Sequence, residues 1–417
     1  MAAHVRSYPS YSAYHHHPCI SQLSSQSPDD LLLQAMACPA VQWAIILALL
    51  SLHRVCLSSD ASTGFSANPK LICCKIYISE SRNKSALDKI DEAARTDPEN
   101  VVVLSKFGDF IYNRVRYTLI SYISESKWCH HPSEGNNISK LNHSVSSPIT
   151  NVLKKMVDAA LDTLSLESHQ GAHPRIGIID DLSFHPLGEA KMEDAAQLAK
   201  DVASDIAASN VPVFLYAEAH PARKTPGAVR HDFGYYNKSK GQWSGVLELG
   251  TALKELVETK SDVRPSVVDH EVLKKKGVTT VGATPFVEGY NVPVRCKNCI
   301  TIVDGIVKKL KEQLGGGGGE GPPKLLALAL RHGSFVEVGC LFDPNHLRAD
   351  QVQDKVKQIA AEQGLEDKVE KGYYTDITKD MILVELSKAL FEKNIDRPAR
   401  SEKENNPEAK GQEGVDE

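Results

Sequence analysis

From Leu71 onward, apolar positions follow two alternating spacings. "LICCKIYIS" is a short, continuous apolar run, the mark of a strand, and "KSALDKIDEAART" follows with the spacing of an amphipathic helix. "NVVVLSKFGDF" and "VRYTLISYIS" read as two further strands. In "ITNVLKKMVDAALDTL", Leu153, Met156, Val157, Ala160 and Leu164 share one helical face; in "EDAAQLAKDVASDIAAS", Ala195, Leu198, Ala199, Val202 and Ile206 do the same. A strand "RIGIID" lies between these helices, and "VPVFLYAEA" (Val211 to Ala219) reads as a buried strand. Residues 220–280 are richer in Gly, Pro and Lys and predict loops with short elements. A second unit begins near Val281. It has a strand (Pro285 to Val294), a helix (Ile300 to Leu314), the linker "GGGGGEGPP" and two strands in "KLLALALRHGSFVEVGCLFD". A helix ending before Gly364, a strand "VEKGYYTD" and a helix from Thr378 to Phe391 complete it. Both units mix helices and strands through short, hairpin-like connections. The expected fold class is α+β, with two ferredoxin-like α/β sandwiches forming a cleft, rather than a doubly wound parallel sheet.

Other segments lack these periods. Residues 1–70 are poor in core-forming residues at their start and predict a disordered, partly apolar extension. Within it, 35–57 holds the apolar core Val41 to Leu52, short for a membrane span. A cytoplasmic protein is expected, with membrane association or secretion through 35–57 as the alternative. Residues 124–148 are polar, Ser/Asn-rich and aperiodic, the composition of a surface insertion. The tail 396–417 is charged and aperiodic. The expected organisation is therefore 1–70, 71–280 with the insertion, 281–395 and 396–417.

A chain of 417 residues exceeds what one hydrophobic core usually serves, in line with that division. The net charge of −5 gives no global attraction to nucleic acid. Nine cysteines are scattered without a disulfide pattern, which favours a reducing compartment. Cys296 and Cys299 form one CxxC; no second pair completes a zinc site, so the choice is redox use or incidental cysteines at a helix start. Neither GxGxxG nor a P-loop occurs, and the pentaglycine run lacks the Lys-Ser/Thr that phosphate binding needs.

The densest chemistry is in "SHQGAHPRIGIIDDLSFHPL", Ser168 to Leu187: three histidines, an arginine and two adjacent aspartates. Pro174 biases His173 toward extended backbone, and Gly171 permits close approach of another group. Histidine is the natural proton shuttle near neutral pH, and an arginine can hold a carboxylate bidentately. His173 and Arg175 together suit group transfer on an acidic substrate. The plain alternative is that His169, His173 and Arg175 are solvated loop residues. Metal binding by His169, His173 and His185 would use the i, i+4 spacing, but Pro174 argues against a helix there.

This stretch closely resembles the signature of the formiminotransferase domain, the N-terminal half of formimidoyltransferase-cyclodeaminase, which carries H-x-G-x-H-P-R-[hydrophobic]-G. "VPVFLYAEA" is similar to that family's Val-Pro-Val-Tyr-Leu-Tyr strand, and "RPSVVDHEVLKKKGVTTVGATPFVEGYNV" to a later conserved region. The likeness runs in order over roughly Cys73 to Phe391. It implies a transferase moving a formimino group from N-formimino-L-glutamate to N5 of tetrahydrofolate, the co-substrate, with no metal. His173 would be the catalytic residue. Arg175, Asn113, Arg114 and Glu80 would meet the acidic amino-acid derivative. Arg264, Pro265, Ser266, Lys274, Gly277 and Val278 would meet the folate. Lys274, Lys275 and Lys276 suit a polyglutamate tail, or are simply a solvated lysine run. Ser79, Glu80 and Arg82 match the family, while Tyr77 and Ser81 stand where it has asparagine and glycine. An acidic residue expected before Asn113 is absent or displaced to Asp109. The cyclodeaminase half has no counterpart, so no ammonia-releasing step is expected. A folate-binding protein of this fold without the transfer reaction is the alternative function, and a homodimer is the candidate assembly.

Overall fold

β1 (Lys70–Ile78) shows why this sequence reads as a continuous apolar run. In the computed structural model, which describes residues 69–126, 144–232, 236–237, 242–243, 251–316, 324–382 and 384–385, β1 is buried on both faces. Ile72, Cys74, Ile76 and Ile78 pack into a core with helices, while Lys75, on the opposite face, reaches Asp376 and the Val287 carbonyl beyond the sheet. A strand covered on both sides loses the alternation that a half-exposed strand keeps.

The first unit continues with α1 (Lys84–Ala94), β2 (Val101–Asp109), β3 (Arg114–Tyr122), the short β4 (Ser124–Ser126) and β5 (Ser144–Ser146), α2 (Ile149–Thr163) and β6 (Ile179–Gly188). The order β2-β3-β1-β6, antiparallel throughout, is that of a βαββαβ ferredoxin-like unit. α3 (Met192–Ala208) then leads to β7 (Val213–Ala217). α4 (Pro226–Asp232), the two-residue ribbons β8 (Tyr236–Asn237) and β9 (Gln242–Trp243), α5 (Thr251–Lys260) and α6 (His270–Lys276) precede β10 (Thr279–Ala283). β10 slots between β6 and β7, parallel to both, and completes a six-stranded sheet.

The second unit repeats the plan: β11 (Glu288–Val294), α7 (Ile300–Leu314), β12 (Leu325–His332), β13 (Phe335–Phe342), α8 (Ala349–Ala361) and β14 (Tyr373–Tyr374). Its order is β12-β13-β11-β14, again with the first strand between the third and fourth. Its own core includes Val292, Val303, Ile306, Val338, Val352 and Ile359. The α+β class and the paired ferredoxin-like units read from the sequence are what the chain forms.

Several boundaries differ. The strand expected at "RIGIID" begins only at Ile179 and runs through Pro186 to Gly188. Pro186 is tolerated because β10 reaches only Phe184 of β6, so no partner waits on that side for an N–H. The backbone before Ile179 pairs elsewhere: Ile178 N donates to Lys276 O (2.9 Å) and Val278 N to Ile176 O (2.9 Å). Of "VEKGYYTD" only Tyr373 and Tyr374 form a strand, while Val369 adds an isolated bridge to Val294. α5 is a ten-residue helix in a region read mainly as loop. Cys296 and Cys299 stand just before α7 and are joined as a disulfide, with Cys299 at its N-cap. The apolar stretch 35–57, most of the polar insertion and of the glycine linker, the end of the last helix and the tail lie outside the described residues. Among the described residues, no helix is long and apolar enough to cross a membrane.

A buried ionic cluster joins the two sheets. Asp376 pairs with Lys75 at 2.7 Å and with Arg116 at 3.0 Å, and accepts from the Thr118 hydroxyl at 3.0 Å. Lys75 also donates to the Val287 carbonyl (2.5 Å) and lies 4.2 Å over the Phe286 ring. Arg116 donates to the Thr375 carbonyl.

Candidate active site

The segment between α2 and β6 is anchored before it presents any reactive group. Leu166 closes a 3-10 turn, and His169 N bonds back to its carbonyl at 3.2 Å. The loop then docks on the β2–β3 turn: Ala172 N donates to Ile111 O (3.1 Å) and Asn113 Nδ2 to Gln170 O (3.0 Å). Gly171 is required there, since a Cβ would collide with the Tyr112 carbonyl. Arg82 ties both segments, donating to Phe110 O from Nε (2.9 Å) and to Gln170 O (3.0 Å).

His173 sits at the end of this loop, half-buried, with Nδ1 2.5 Å from the Pro174 carbonyl. A neutral ring donating there from Nδ1 leaves the Nε2 lone pair open to accept a proton. The Tyr112 ring meets it edge-on, centroids 5.4 Å apart. Burial and then the Arg114 guanidinium push the imidazole down to about 3, against an opposing pull from Asp180. It is therefore neutral at physiological pH.

Asp180 is fully buried and bonds Arg114 Nη2 at 2.5 Å and Ile176 N at 2.8 Å, with Arg230 Nη2 at 3.7 Å. Burial alone would raise its carboxyl; Arg114 and then Arg230 outweigh this and hold it at about 2. Arg114 is also stacked 4.1 Å over the Tyr77 ring. The neighbouring Asp181 accepts from Thr280 Oγ1 (2.6 Å) and the Tyr216 hydroxyl (3.2 Å), and burial pushes its carboxyl up.

The residues proposed from sequence fall into three groups. His173, Arg114 and Asn113 converge on this loop and the turn beneath it, where Asn113 accepts from Ser81 N at 2.8 Å. Arg175 donates to the His169 carbonyl at 3.0 Å within the same loop. Glu80 accepts from the backbone N–H groups of Ser81 (2.9 Å), Arg82 (2.6 Å) and Asn83 (3.0 Å), shaping the entry to α1. In the second group, Lys274 lies 3.5 Å from Glu167, while Gly277 and Val278 are stitched to Ile176–Ile178 directly after His173. In the third, exposed Arg264, buried Pro265 and exposed Ser266 follow the Val213–Val263 bridge on the β7 side, with Arg264 bonded to the Glu258 carbonyl. Asp109 ends β2, where it accepts from Tyr112 N (2.7 Å) and contacts His332 Nε2 (2.9 Å).

Gly277 holds the second group in place. Its φ of 73° with ψ of −150° is a region reserved for glycine, and a Cβ would strike the Ile176 carbonyl. Gly277→Ala is expected to lower the urea midpoint by an amount equivalent to at least about 1–3 kcal/mol. An unchanged midpoint would contradict the close approach.

The three histidines do not form a cluster. His169 Nε2 contacts the Asn113 carbonyl at 3.1 Å. His185 lies inside the sheet, with Nδ1 3.0 Å from the Pro285 carbonyl and Nε2 3.0 Å from Ser183 Oγ. Among the described residues, no group of three His, Cys, Asp or Glu side chains is placed to hold a metal. His185 is pushed down to about 3 by burial and then Lys75. The folded chain thus keeps this ring neutral while the unfolded chain protonates it near 6.5. Above that value the group has no effect on stability. As pH falls from there toward 3, it costs up to about 1.4 kcal/mol per pH unit. Urea midpoints at pH 7, 6 and 5 should show this decline, and His185→Gln should flatten it.

Two surface cavities, of about 290 and 360 Å³, are lined by residues such as His220, Lys224 and Asp262 or Glu193, Lys200 and Arg223; His173 lines neither. Sequence reading missed Asp180 as a partner of Arg114, although its place in "IIDDLS" was visible. Arg230, Tyr112 and Glu337 carried no local signal.

One of the two ferredoxin-like units thus presents a neutral imidazole beside an arginine–aspartate pair. The family model of the formiminotransferase domain, N-terminal subdomain, matches residues 71–284, and the chain belongs to that family. A formiminotransferase cyclodeaminase-like protein of Arabidopsis thaliana is 37% identical over 316 residues, covering 75% of this chain and 94% of that protein. A glutamate formimidoyltransferase of Streptococcus pyogenes serotype M1 is 26% identical over 272 residues (64% of this chain, 76% of that protein). A second one, from Thermoplasma acidophilum, is 34% identical over 145 residues (34% of this chain, 43% of that protein).

Proposed function

We propose that the chain transfers the formimino group of N-formimino-L-glutamate to N5 of tetrahydrofolate, with His173 as the proton relay. The observation that carries this reading is a neutral His173, backed by Tyr112 and adjacent to Arg114, inside the family-matched segment. The names of the two glutamate formimidoyltransferases support the substrate class. N5 attacks the formimino carbon and forms the new C–N bond, and its proton passes to Nε2 of His173. The bond from that carbon to the glutamate nitrogen then breaks, and His173 returns the proton to that nitrogen. Arg114 and Arg175 supply guanidinium groups for the substrate carboxylates. The 264–278 stretch would take the folate; the two working units are the sheet that β10 (Thr279–Ala283) completes and the sheet that begins with β11, so the boundary read near 280 moves past Ala283.

The test is the purified full chain mixed with both substrates, with 5-formimino-tetrahydrofolate followed by its absorbance. Product that requires both substrates supports the proposal. Absence of product overturns it, and if calorimetry still shows 5-formyl-tetrahydrofolate binding, the chain is a folate-binding protein of this family instead.

A further inference from the structure

Glu337, on β13, is 1% exposed, and the reaction outlined above does not use it. A carboxylate removed from water needs donors, and this one has three, one of them from the other sheet. Tyr112 hydroxyl donates to Oε2 at 2.6 Å, Asn291 Nδ2 to Oε2 at 2.8 Å and Tyr373 hydroxyl to Oε1 at 2.7 Å. Asn291 and Tyr373 belong to the second sheet; Tyr112 belongs to the β2–β3 turn of the first. The second sheet grips Tyr112 again through His332, whose ring meets it edge-on at 4.9 Å and whose Nε2 lies 2.9 Å from Asp109 Oδ2. The other carboxylate oxygen of Asp109 accepts from Tyr112 N at 2.7 Å. Tyr112 is thus fixed at hydroxyl, ring and backbone, and its ring is the wall against which His173 rests.

We infer that Tyr112 is a positioning residue for His173, set in place by Glu337 and His332, so that proton relay in the first sheet depends on a carboxylate of the second. This rests on the assignment of His173 as the relay. A rigid neighbour that fixes the imidazole acts on the chemical step and leaves substrate affinity alone.

Tyr112→Phe keeps the ring and removes the anchor, and Glu337→Gln weakens the same bond from the other side. Tyr117→Phe is the control, a buried hydroxyl bonded to Asp91 at 2.6 Å on the helix side of the sheet. Kinetics are read together with the ¹H–¹⁵N signal of the His173 ring, assigned by its loss in His173→Gln. Both site variants should lower kcat by about tenfold and leave both KM values within about twofold, as a transition-state effect requires. Both should displace the His173 signal, and Tyr117→Phe should do neither. Site variants that match Tyr117→Phe in kcat and ring signal would overturn the inference. If the wild type shows no transfer, the proposed function fails, and the ring signal alone still decides the coupling. Should Glu337→Gln not fold, His332→Gln tests the second sheet's other grip on Tyr112, the ring contact.

Discussion

Replacing His173 with alanine is expected to lower kcat for formimino transfer by about 10²–10⁴-fold, the usual loss when a positioned acid–base group is removed. Folate affinity, measured by calorimetry with 5-formyl-tetrahydrofolate, should stay close to wild type, because a neutral ring is not a charged anchor. Unchanged turnover would end the assignment of this residue. The pH dependence gives a second reading of the same group. In the free protein the imidazole is pushed down to about 3, so kcat/KM should show no break near the 6.5 of an ordinary histidine. An imidazole this reluctant to accept a proton is a weak base. Arg114 is the second cause of the depression, and a substrate carboxylate arriving beside it would offset that charge. The apparent value governing kcat should therefore lie above the one governing kcat/KM. The reverse order would mean that no anion binds next to Arg114.

Asp376→Ala carries the largest expected effect on stability. It leaves Lys75 and Arg116, 1% and 3% exposed, without their shared carboxylate. Breaking one partner out of a buried ionic cluster typically costs about 3–5 kcal/mol, since the remaining charges stay out of water. The loss should appear as a lower denaturant midpoint and should exceed that of Thr118→Val, which deletes only a hydroxyl bonded to the same Asp376 at 3.0 Å. Equal losses in the two variants would mean that solvent reaches the cations. The cluster links β1 and β3 of one sheet to the chain after β14 of the other, so the same variant should also weaken the docking that brings Glu337 to Tyr112.

Local periodicity was enough to read the long helices that turn one face to a core, though not α5 in the stretch read as loop. Leu153, Met156, Val157 and Ala160 are buried in α2, as are Ala195, Leu198, Ala199, Val202 and Ile206 in α3. Strand ends were harder to read. Their limits are set by neighbours: Pro186 stays in β6 because β10 has already ended. At the site, the loop chemistry around His173 was visible as a motif. Its electrostatics were not, since Arg230 reaches Asp180 from 50 residues away and Glu337 reaches Tyr112 from 225. Nor does spacing separate His173 from His185, although one lines a loop and the other is locked between strands with both ring nitrogens bonded.

The placement of β10 governs how this molecule can be dissected. Its five residues, Thr279–Ala283, come late in the chain yet form the parallel seam between β6 and β7. A recombinant fragment stopped at residue 280 would strip most of that seam and leave two naked strand edges in the middle of a sheet, an invitation to aggregate. A fragment carried past Ala283 keeps every strand of the sheet but still parts Lys75 and Arg116 from Asp376 and Tyr112 from Glu337.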